Sequence, residues 1–232
     1  MTAEYREDLA WVHHTAFGDL ARQAAATLRR ELRSRRGLVV DLACGSGILA
    51  GELTRAGYGV LGVDASEAML RLAAVEAPSA RFVQGSLLDV AIPPCLAVTA
   101  VGEGFNYADA VLPDLFARIA SALEPGGVLL FDVAGPGRMR STFTVTEDPG
   151  GEWLVALRRS EDGGVLTRHI TLFRRVGDAY RRSDETHTLR LYRPDEVRQA
   201  LAAAAFSRVR RLRGYGDYRT GRGWAVFCAR SS

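Results

Sequence analysis

The sequence has 232 residues, of which 47% are hydrophobic and 25% are charged, a balance that argues against a disordered chain and fits one domain with a full hydrophobic core. Its formal net charge of +3 is the balance of 30 basic residues, all of them arginine, against 27 acids. The arginine clusters at 28–36 and 207–213 are interrupted by Glu31 and by apolar residues, so a nucleic-acid partner is not expected. The three cysteines form no Cys-x-x-Cys pair, so neither a disulfide framework nor a metal site is expected.

Residues 1–36 are predicted to form a helical cap. Apolar side chains between Asp8 and Arg33 recur at helical spacing, and Gly18 divides the pattern into two helices. Residues 2–9 mix acids with a base and lack the apolar stretch of a signal peptide, and no apolar run approaches the ~20 residues that a bilayer requires. We therefore expect a cytoplasmic protein without a membrane partner.

Strands alternate with helices in the next part of the chain. Short apolar runs that begin at Leu38 and end at Val133 are separated by helical segments, which predicts a parallel sheet with right-handed crossovers. After Pro136 the pattern changes to strands separated by Asp-Gly-Gly and Gly-Asp turns, which predict antiparallel hairpins. A further helix and two last strands follow. The predicted fold is one α/β domain over 1–232 with an antiparallel β insert at 138–193.

The strongest local pattern is the run Val-Val-Asp-Leu-Ala-Cys-Gly-Ser-Gly, residues 39–47, in which a buried strand ends in Asp41 and a turn of small residues leads into a helix. Gly45 and Gly47 allow the backbone to approach a ligand closely and to adopt conformations that other residues avoid. The helix that follows offers free N–H groups and the positive end of its dipole. These features suit the carboxylate of the methionine moiety of S-adenosylmethionine (SAM), and Asp41 suits its amino group.

Further segments have the spacing of a nucleoside site. Asp64 ends the second strand 23 positions after Asp41, and its carboxylate is placed to accept both ribose hydroxyls. Residues 85–87 follow the third strand, where the adenine is expected. The Glu-Pro-Gly-Gly turn at 124–127 then precedes a fifth strand.

With these motifs the chain resembles the class I SAM-dependent methyltransferases over nearly its full length, most closely from Leu38 to Asp132. Gly102-Glu103 and Asn106-Tyr107 after the fourth strand, together with the β insert, resemble a bacterial small-molecule subgroup that includes sugar N-methyltransferases and glycine N-methyltransferase-like enzymes. The resemblance implies a Rossmann-like sheet of seven mostly parallel strands, the last antiparallel, with helices on both faces.

The resemblance also implies SAM as the cofactor, with S-adenosylhomocysteine as its product, lying across the carboxyl ends of the first strands. The sequence departs from the family at Ser86 and Leu96, where aspartate is common. The residues expected to contact SAM come from the cap and from the strand ends, and they are Phe17, Asp41, Ala43, Cys44, Gly45, Ser46, Gly47, Asp64, Ala65, Met69, Gly85, Ser86, Leu87, Val101, Gly102 and Glu103.

A nicotinamide-dependent oxidoreductase also has a glycine-rich turn, and Gly45-x-Gly47-x-x-Ala50 is compatible with one. Asp41 argues against this alternative, because its carboxylate would repel the pyrophosphate of a dinucleotide. A SAM-binding protein without catalysis and an RNA methyltransferase are further alternatives. The sequence lacks the Asn/Asp-Pro-Pro-aromatic signature of adenine and glutamine methylation, and Cys95 is interpreted as structural. The preferred function is methyl transfer to a nitrogen or an oxygen of a small molecule.

Candidate catalytic residues are few, because the chain has four histidines. His13 shares a helix face with Phe17, and His187 shares a strand face with Glu185. Either histidine, or Glu103, is a candidate base if the acceptor must lose a proton. A core-edge or surface position is the alternative for the histidines, and loop capping is the alternative for Glu103. The residues expected to bind the acceptor lie near the N-terminus, at strand ends or on the insert, and they are Tyr5, Phe105, Asn106, Tyr107, Asp132 and Glu185. A turn-capping role is equally compatible with Asp132.

The insert at 138–193 leaves the sheet at its carboxyl edge. We expect it to form a lid over the acceptor, with Glu185 and His187 turned inward, because a lid excludes water from the reaction. A dimerisation sheet packed away from the cofactor is the alternative, and both a monomer and a homodimer remain open.

Overall fold

The computed structural model describes residues 5–107, 112–137 and 142–231. Its helices are α1 (Glu7–Ala16), α2 (Asp19–Leu32), α3 (Ile48–Arg55), α4 (Glu67–Glu76), α5 (Leu112–Ala122) and α6 (Pro194–Ala203), with a short 3₁₀ turn at Gly104–Tyr107. Its strands are β1 (Leu38–Leu42), β2 (Gly59–Asp64), β3 (Arg81–Gln84), β4 (Cys95–Ala100), β5 (Leu123–Ala134), β6 (Thr142–Glu147), β7 (Trp153–Asp162), β8 (Val165–Val176), β9 (Ala179–Arg190), β10 (Ser207–Leu212), β11 (Gly214–Tyr215), β12 (Tyr218–Arg219) and β13 (Trp224–Arg230). Within these described ranges, no helix is long and apolar enough to cross a bilayer.

The larger sheet has seven strands in the order β10-β13-β5-β4-β1-β2-β3. The pairings from β5 to β3 are parallel, whereas β13 runs antiparallel to both β5 and β10. The predicted seven-stranded fold is therefore confirmed. The strand order reverses between β1 and β4, and such a switch point leaves a crevice at the carboxyl ends of the strands.

Helices cover both faces of this sheet. On one face α5 and α6 pack through Leu115, Phe116 and Leu201. On the other face α2 and α3 pack through Leu28 and Leu53. The central strand β4 is buried along its whole length and is correspondingly an almost unbroken apolar run.

The second sheet has the order β6-β7-β8-β9, and all its pairings are antiparallel. The sequence pattern missed β6, whose apolar residues Phe143 and Val145 are 60% and 52% exposed. It also missed the hairpin β11–β12. Residues 138–141 of the predicted insert lie outside the described residues.

Helix α1 packs on the inner face of the second sheet. Leu9 and Val12 of the helix lie in one apolar cluster with Trp153, Ile170 and Leu172 of β7 and β8. This contact places the N-terminal segment between the second sheet and α4, which α1 also contacts.

Ion pairs reinforce that contact. Asp8 of α1 is 6% exposed and accepts hydrogen bonds from Arg174 of β8 at 3.2 Å and from Arg181 of β9. The bond from Arg181 is the largest cause of a pKa of Asp8 below its usual value. The Arg174 guanidinium also lies 4.0 Å from the centre of the Trp11 ring. Helix α1 and the second sheet are therefore joined by both apolar and charged contacts.

Candidate functional site

The turn after β1 is held in the left-handed region of backbone space. The φ angle is +55° at Ala43, +53° at Gly45 and +76° at Gly47. Glycine adopts these angles without strain. At Gly47 there is also no room for a side chain, because a Cβ would lie 2.8 Å from the Cα of Ala73 in α4. The first turn of α3 follows and has no capping side chain among the described residues, which leaves its N–H groups for an anionic ligand.

Asp64, at the end of β2, accepts hydrogen bonds from the backbone N–H groups of Gly45 at 2.8 Å and Ser66 at 2.9 Å. Its carboxylate therefore lies beside the glycine turn and also fixes the shape of that turn. Ser66 caps α4 by accepting from the N–H of Met69 at 3.1 Å, and it donates its hydroxyl to the carbonyl of Tyr5 at 2.6 Å. The N-terminal segment is thereby tied to the carboxyl end of β2.

Asp41 is 2% exposed and accepts a hydrogen bond from the Thr99 hydroxyl at 2.6 Å. Burial raises the pKa of Asp41 to about 7, against the lowering effect of the Thr99 bond and with an additional rise from the charge of Asp64. A nearby cation would favour the ionised carboxylate. The site at the end of β1 is therefore suited to a positively charged group.

Small and apolar residues surround these acids. Cys44 and Met69 are 8% and 3% exposed, and the N–H of Cys44 donates to the carbonyl of Val63 at 2.9 Å. Burial raises the pKa of the Cys44 thiol well above its usual value, as expected for a structural cysteine. Ala65 and Val101 are partly buried just beyond the ends of β2 and β4.

The segment after β3 lies beside Asp64. The N–H of Gly85 donates to the Asp64 carbonyl at 3.0 Å. Ser86 is exposed and its hydroxyl accepts from the N–H of Leu88 at 3.1 Å, while Leu87 packs against the core. The adenine remains predicted at this segment, which follows β3, the neighbour of β2 in the sheet.

Both neighbouring histidines of α1 make contacts at the site, whereas only His13 was selected from the sequence. His14, which was not selected, has Nδ1 3.0 Å from the Ser46 hydroxyl of the glycine turn. His13 packs with its ring centroid 5.4 Å from that of Tyr5 and 5.9 Å from that of Phe17. Phe17 is 49% exposed. The sequence held no local signal for the His14 contact, because its partner lies 32 residues away.

The turn after β4 is built on one buried carboxylate. Asp132, which is 0% exposed, accepts from the N–H groups of Gly102 at 2.9 Å and Glu103 at 2.7 Å. It also accepts from the Tyr215 hydroxyl and the Trp224 indole, both at 2.7 Å. Of the two roles that the sequence left open for Asp132, its geometry is that of a turn cap beneath the site. Burial raises the pKa of its carboxyl to about 6.

Two residues predicted to bind the acceptor are part of the core instead. Phe105 is 0% exposed, with its ring centroid 5.8 Å from that of Phe116 and 5.1 Å from that of Phe131. Asn106 is 1% exposed and its amide exchanges hydrogen bonds with the backbone of Ala134 at 2.8 and 2.9 Å. The acceptor-binding prediction for Phe105 and Asn106 was therefore wrong, because the 3₁₀ turn rotates both side chains inward.

A buried ion pair lies beside this turn. Glu103 and Arg168 of β8 approach to 2.5 Å, and their side chains are 5% and 15% exposed. Arg168 also interacts with the Tyr107 hydroxyl and lies near His13. Arg168 was not among the predicted site residues. Strand alternation could have indicated it, because Arg168 pairs with His187 in the β8–β9 register.

The face of β9 that carries Glu185 and His187 is turned inward, as predicted. His187 is 0% exposed, with Nδ1 3.1 Å from the Tyr107 hydroxyl and Nε2 3.0 Å from the Glu185 carboxylate. The Tyr5 ring meets the His187 ring edge-on at 4.8 Å. We refer to Tyr5, His13, Glu103, Tyr107, Arg168, Glu185 and His187 as the polar cluster.

Residues 39–127 match the family model for a methyltransferase domain. The Bacillus subtilis protein YqeM is 27% identical over 182 residues, 74% of either chain. A ubiquinone biosynthesis O-methyltransferase of Caulobacter vibrioides is 32% identical over 133 residues, which are 52% of this chain and 48% of that protein. A SAM-dependent methyltransferase structure from Clostridium acetobutylicum has a TM-score of 0.83 at 19% identity, covering 96% of this chain and 97% of that one. The sugar N-methyltransferase KedS8 from a Streptoalloteichus species has a TM-score of 0.77 at 22% identity, covering 98% and 93%.

The matched segment contains the features that form the crevice. It includes the glycine turn, Asp64 and the turn after β4. The structural similarity extends over the second sheet as well, since nearly the whole chain is covered. Residues 39–127 therefore match a methyltransferase domain, and the chain as a whole has the fold of SAM-dependent methyltransferases.

Proposed function

We propose that the protein transfers the methyl group of SAM to a nitrogen or an oxygen of a small-molecule acceptor bound at the polar cluster. One observation carries this proposal: the turn after β4 packs directly on the glycine turn, since a Cβ on Gly104 would lie 2.8 Å from the Cβ of Ala43. Glu103, which belongs to the polar cluster, adjoins Gly104. A cofactor on the glycine turn thus has its reactive end next to the polar cluster, and methyl transfer requires that proximity.

The residues around the glycine turn fit SAM. The first turn of α3 would hold the methionine carboxylate, Asp41 the amino group and Asp64 the ribose hydroxyls. The pair His14 and Ser46 adds polar atoms beside the methionine end. When bound, SAM supplies a methyl group already activated by a positively charged sulfur, so the protein acts mainly by placing an acceptor in line with it.

The polar cluster favours a small polar acceptor. It is bordered by the N-terminal segment, the turn after β4 and the inner face of the second sheet, so an acceptor is surrounded on several sides. Its side chains offer hydroxyls, a guanidinium and carboxylates at short spacing. The similarity to KedS8 and to the ubiquinone biosynthesis O-methyltransferase supports a nitrogen and an oxygen acceptor, respectively.

We assign His13 the task of orienting the acceptor. Burial, together with the charges of His14 and Arg168, lowers the pKa of His13 to about 4. The imidazole is therefore neutral above about pH 5. Its Nδ1 is buried and has no hydrogen-bond partner within 5–107, 112–137 and 142–231. Such a nitrogen can accept a hydrogen bond from an acceptor N–H or O–H, but it holds a proton poorly.

We infer that the second sheet is a lid rather than a dimerisation surface. Its inner face supplies Arg168, Glu185 and His187 to the polar cluster, and α1 fills the rest of that face. A lid of this kind excludes water from the acceptor. The dimerisation alternative requires that SAM-dependent turnover rise with the fraction of dimer. Sedimentation at several protein concentrations measures that fraction, and turnover is compared with it.

The function is tested in two steps. Calorimetry should show SAM binding at micromolar affinity and no binding of NAD or NADP; binding of a nicotinamide cofactor without SAM would overturn the proposal. A panel of small molecules is then screened for S-adenosylhomocysteine formation by mass spectrometry. The panel pairs amino sugars with sugars, and anilines with phenols, so that nitrogen and oxygen acceptors are compared. His13→Gln should lower kcat/KM for the methylated compound at least tenfold, whereas His169→Gln, on the exposed face of β8, should not.

A further inference from the structure

Transfer to an ammonium or a hydroxyl group requires that the acceptor lose a proton, and this inference rests on the proposed function. We propose that Tyr107, His187 and Glu185 form a proton relay. In it the Tyr107 hydroxyl takes the acceptor's proton and passes its own proton to His187, while Glu185 stabilises the imidazolium that results. His187 is thereby a positioning and proton-holding residue that acts through Tyr107.

The geometry is that of three groups in series. The Tyr107 hydroxyl is 3.1 Å from His187 Nδ1, and His187 Nε2 is 3.0 Å from the Glu185 carboxylate. Because both ring nitrogens are engaged and the residue is 0% exposed, His187 cannot contact an acceptor directly. The same order of hydroxyl, imidazole and carboxylate makes hydroxyls reactive in the serine hydrolases, where the acid fixes the tautomer and orientation of the histidine.

Tyr107 is the member that faces the acceptor. It lies at the end of the 3₁₀ turn that begins beside Glu103, and it is only partly buried. Burial raises the pKa of its phenol well above the usual value, so Tyr107 transmits a proton and does not store one. The charged and titratable groups around the relay are Tyr5, Arg6, His13, Glu103 and Arg168.

The backbone supports the acid of the relay. Glu185 is 8% exposed, and its carboxylate accepts from the N–H of Arg6 at 3.3 Å and lies 3.8 Å from the Arg6 guanidinium. These contacts fix the position of the carboxylate beside His187 Nε2. A carboxylate there accepts from Nε2–H, which leaves Nδ1 of His187 as an acceptor.

The proton and electron count is balanced. The acceptor N–H or O–H bond breaks, its proton moves to the Tyr107 oxygen, and the phenolic proton moves to His187 Nδ1. The electron pair left on the acceptor forms the bond to the methyl carbon, while the carbon–sulfur bond breaks and its electrons remain on sulfur. The imidazolium returns its proton to solvent after the product leaves.

The relay requires one particular tautomer, which nuclear magnetic resonance can identify without any acceptor. The chain has four histidines, so ¹⁵N-histidine labelling with His187→Gln as the assignment control separates their signals. In protein saturated with S-adenosylhomocysteine, His187 should carry its proton on Nε2. Glu185→Gln should move it to Nδ1, because the new amide can donate to Nε2. Wild-type protein with the proton on Nδ1 would refute the relay.

Kinetics provide the second measurement, using the compound methylated in the panel. Tyr107→Phe and Glu185→Gln should each lower kcat about 100-fold or more and leave the SAM dissociation constant within about twofold. Tyr180→Phe, at an exposed tyrosine of the same sheet, is the matched control. Unchanged kcat in both relay variants would overturn the relay while leaving the methyltransferase function intact. If no compound is methylated, the proposed function fails, and the tautomer still decides whether the relay is assembled.

Discussion

Binding of SAM should release protons, because Asp41 has to ionise before it can hold an amino group. Burial raises the pKa of Asp41 to about 7, so about half of the molecules carry a neutral carboxyl at pH 7 and about nine-tenths do so at pH 6. The ligand's positive charge selects the ionised form. The expected release is therefore about 0.5 proton per SAM at pH 7, about 0.9 at pH 6 and nearly none at pH 8.5.

The affinity should follow the same titration. Below pH 7 each unit of pH should weaken SAM binding by up to about tenfold, because a proton competes with the ligand for Asp41, and above about pH 8 the affinity should be constant. Thr99→Val removes the hydrogen bond that lowers the pKa of Asp41. That variant should shift the whole profile to higher pH.

Titration calorimetry in buffers of different ionisation enthalpy measures the number of protons released. Asp41→Asn should abolish the buffer dependence and weaken binding at pH 8.5 by about 10- to 100-fold, the range for one lost charge-assisted hydrogen bond. This variant is the necessary control, because Asp132 is also buried and has a pKa raised to about 6. If wild-type protein at pH 6 gives the same heat in every buffer, Asp41 does not contact the amino group.

Three other substitutions test the site's construction. Asp64→Ala should lower SAM affinity at least tenfold in calorimetry and, because it removes two backbone hydrogen bonds, also lower the melting temperature of the free protein by several degrees; an unchanged melting temperature would show that those bonds do not support the turn. Asp132→Asn should lower the free energy of unfolding, measured in urea, by about 2–4 kcal/mol, since the NH₂ group of the new amide must face two of the four hydrogen-bond donors. An unchanged unfolding midpoint would contradict that network. Gly47→Ala should abolish SAM binding, because φ is +76° and the methyl group would lie 2.8 Å from Ala73; normal binding would place the cofactor elsewhere.

The parts of the site that sequence reasoning predicted are those that depend on a few consecutive residues. The glycine turn is specified by its own small residues. The Ser66 cap is also local, because Ser66 immediately precedes α4 and its hydrogen-bond partner Met69 is only three residues further on. Asp64 was expected as a ribose ligand from its spacing alone. Its second task, holding the turn through the N–H of Gly45, depends on how β1 and β2 pair and was not predictable from that spacing.

The parts that were missed depend on distant segments. Two of the four donors to Asp132 are Tyr215 and Trp224, which are 83 and 92 residues further along the chain. Phe105 and Asn106 follow a strand end where exposed residues are common, and only the packing of the 3₁₀ turn on the core shows that they are buried. No alternation or spacing rule carries that information.

The buried Asp8 constrains how acceptor specificity can be changed. A chimera that takes the β6–β9 sheet of another enzyme without α1 leaves Asp8 in an apolar contact without Arg174 and Arg181, its two ion-pair partners. An unpaired charge in such a contact destabilises the fold. An engineered exchange of the second sheet should therefore replace segments 5–16 and 142–190 together.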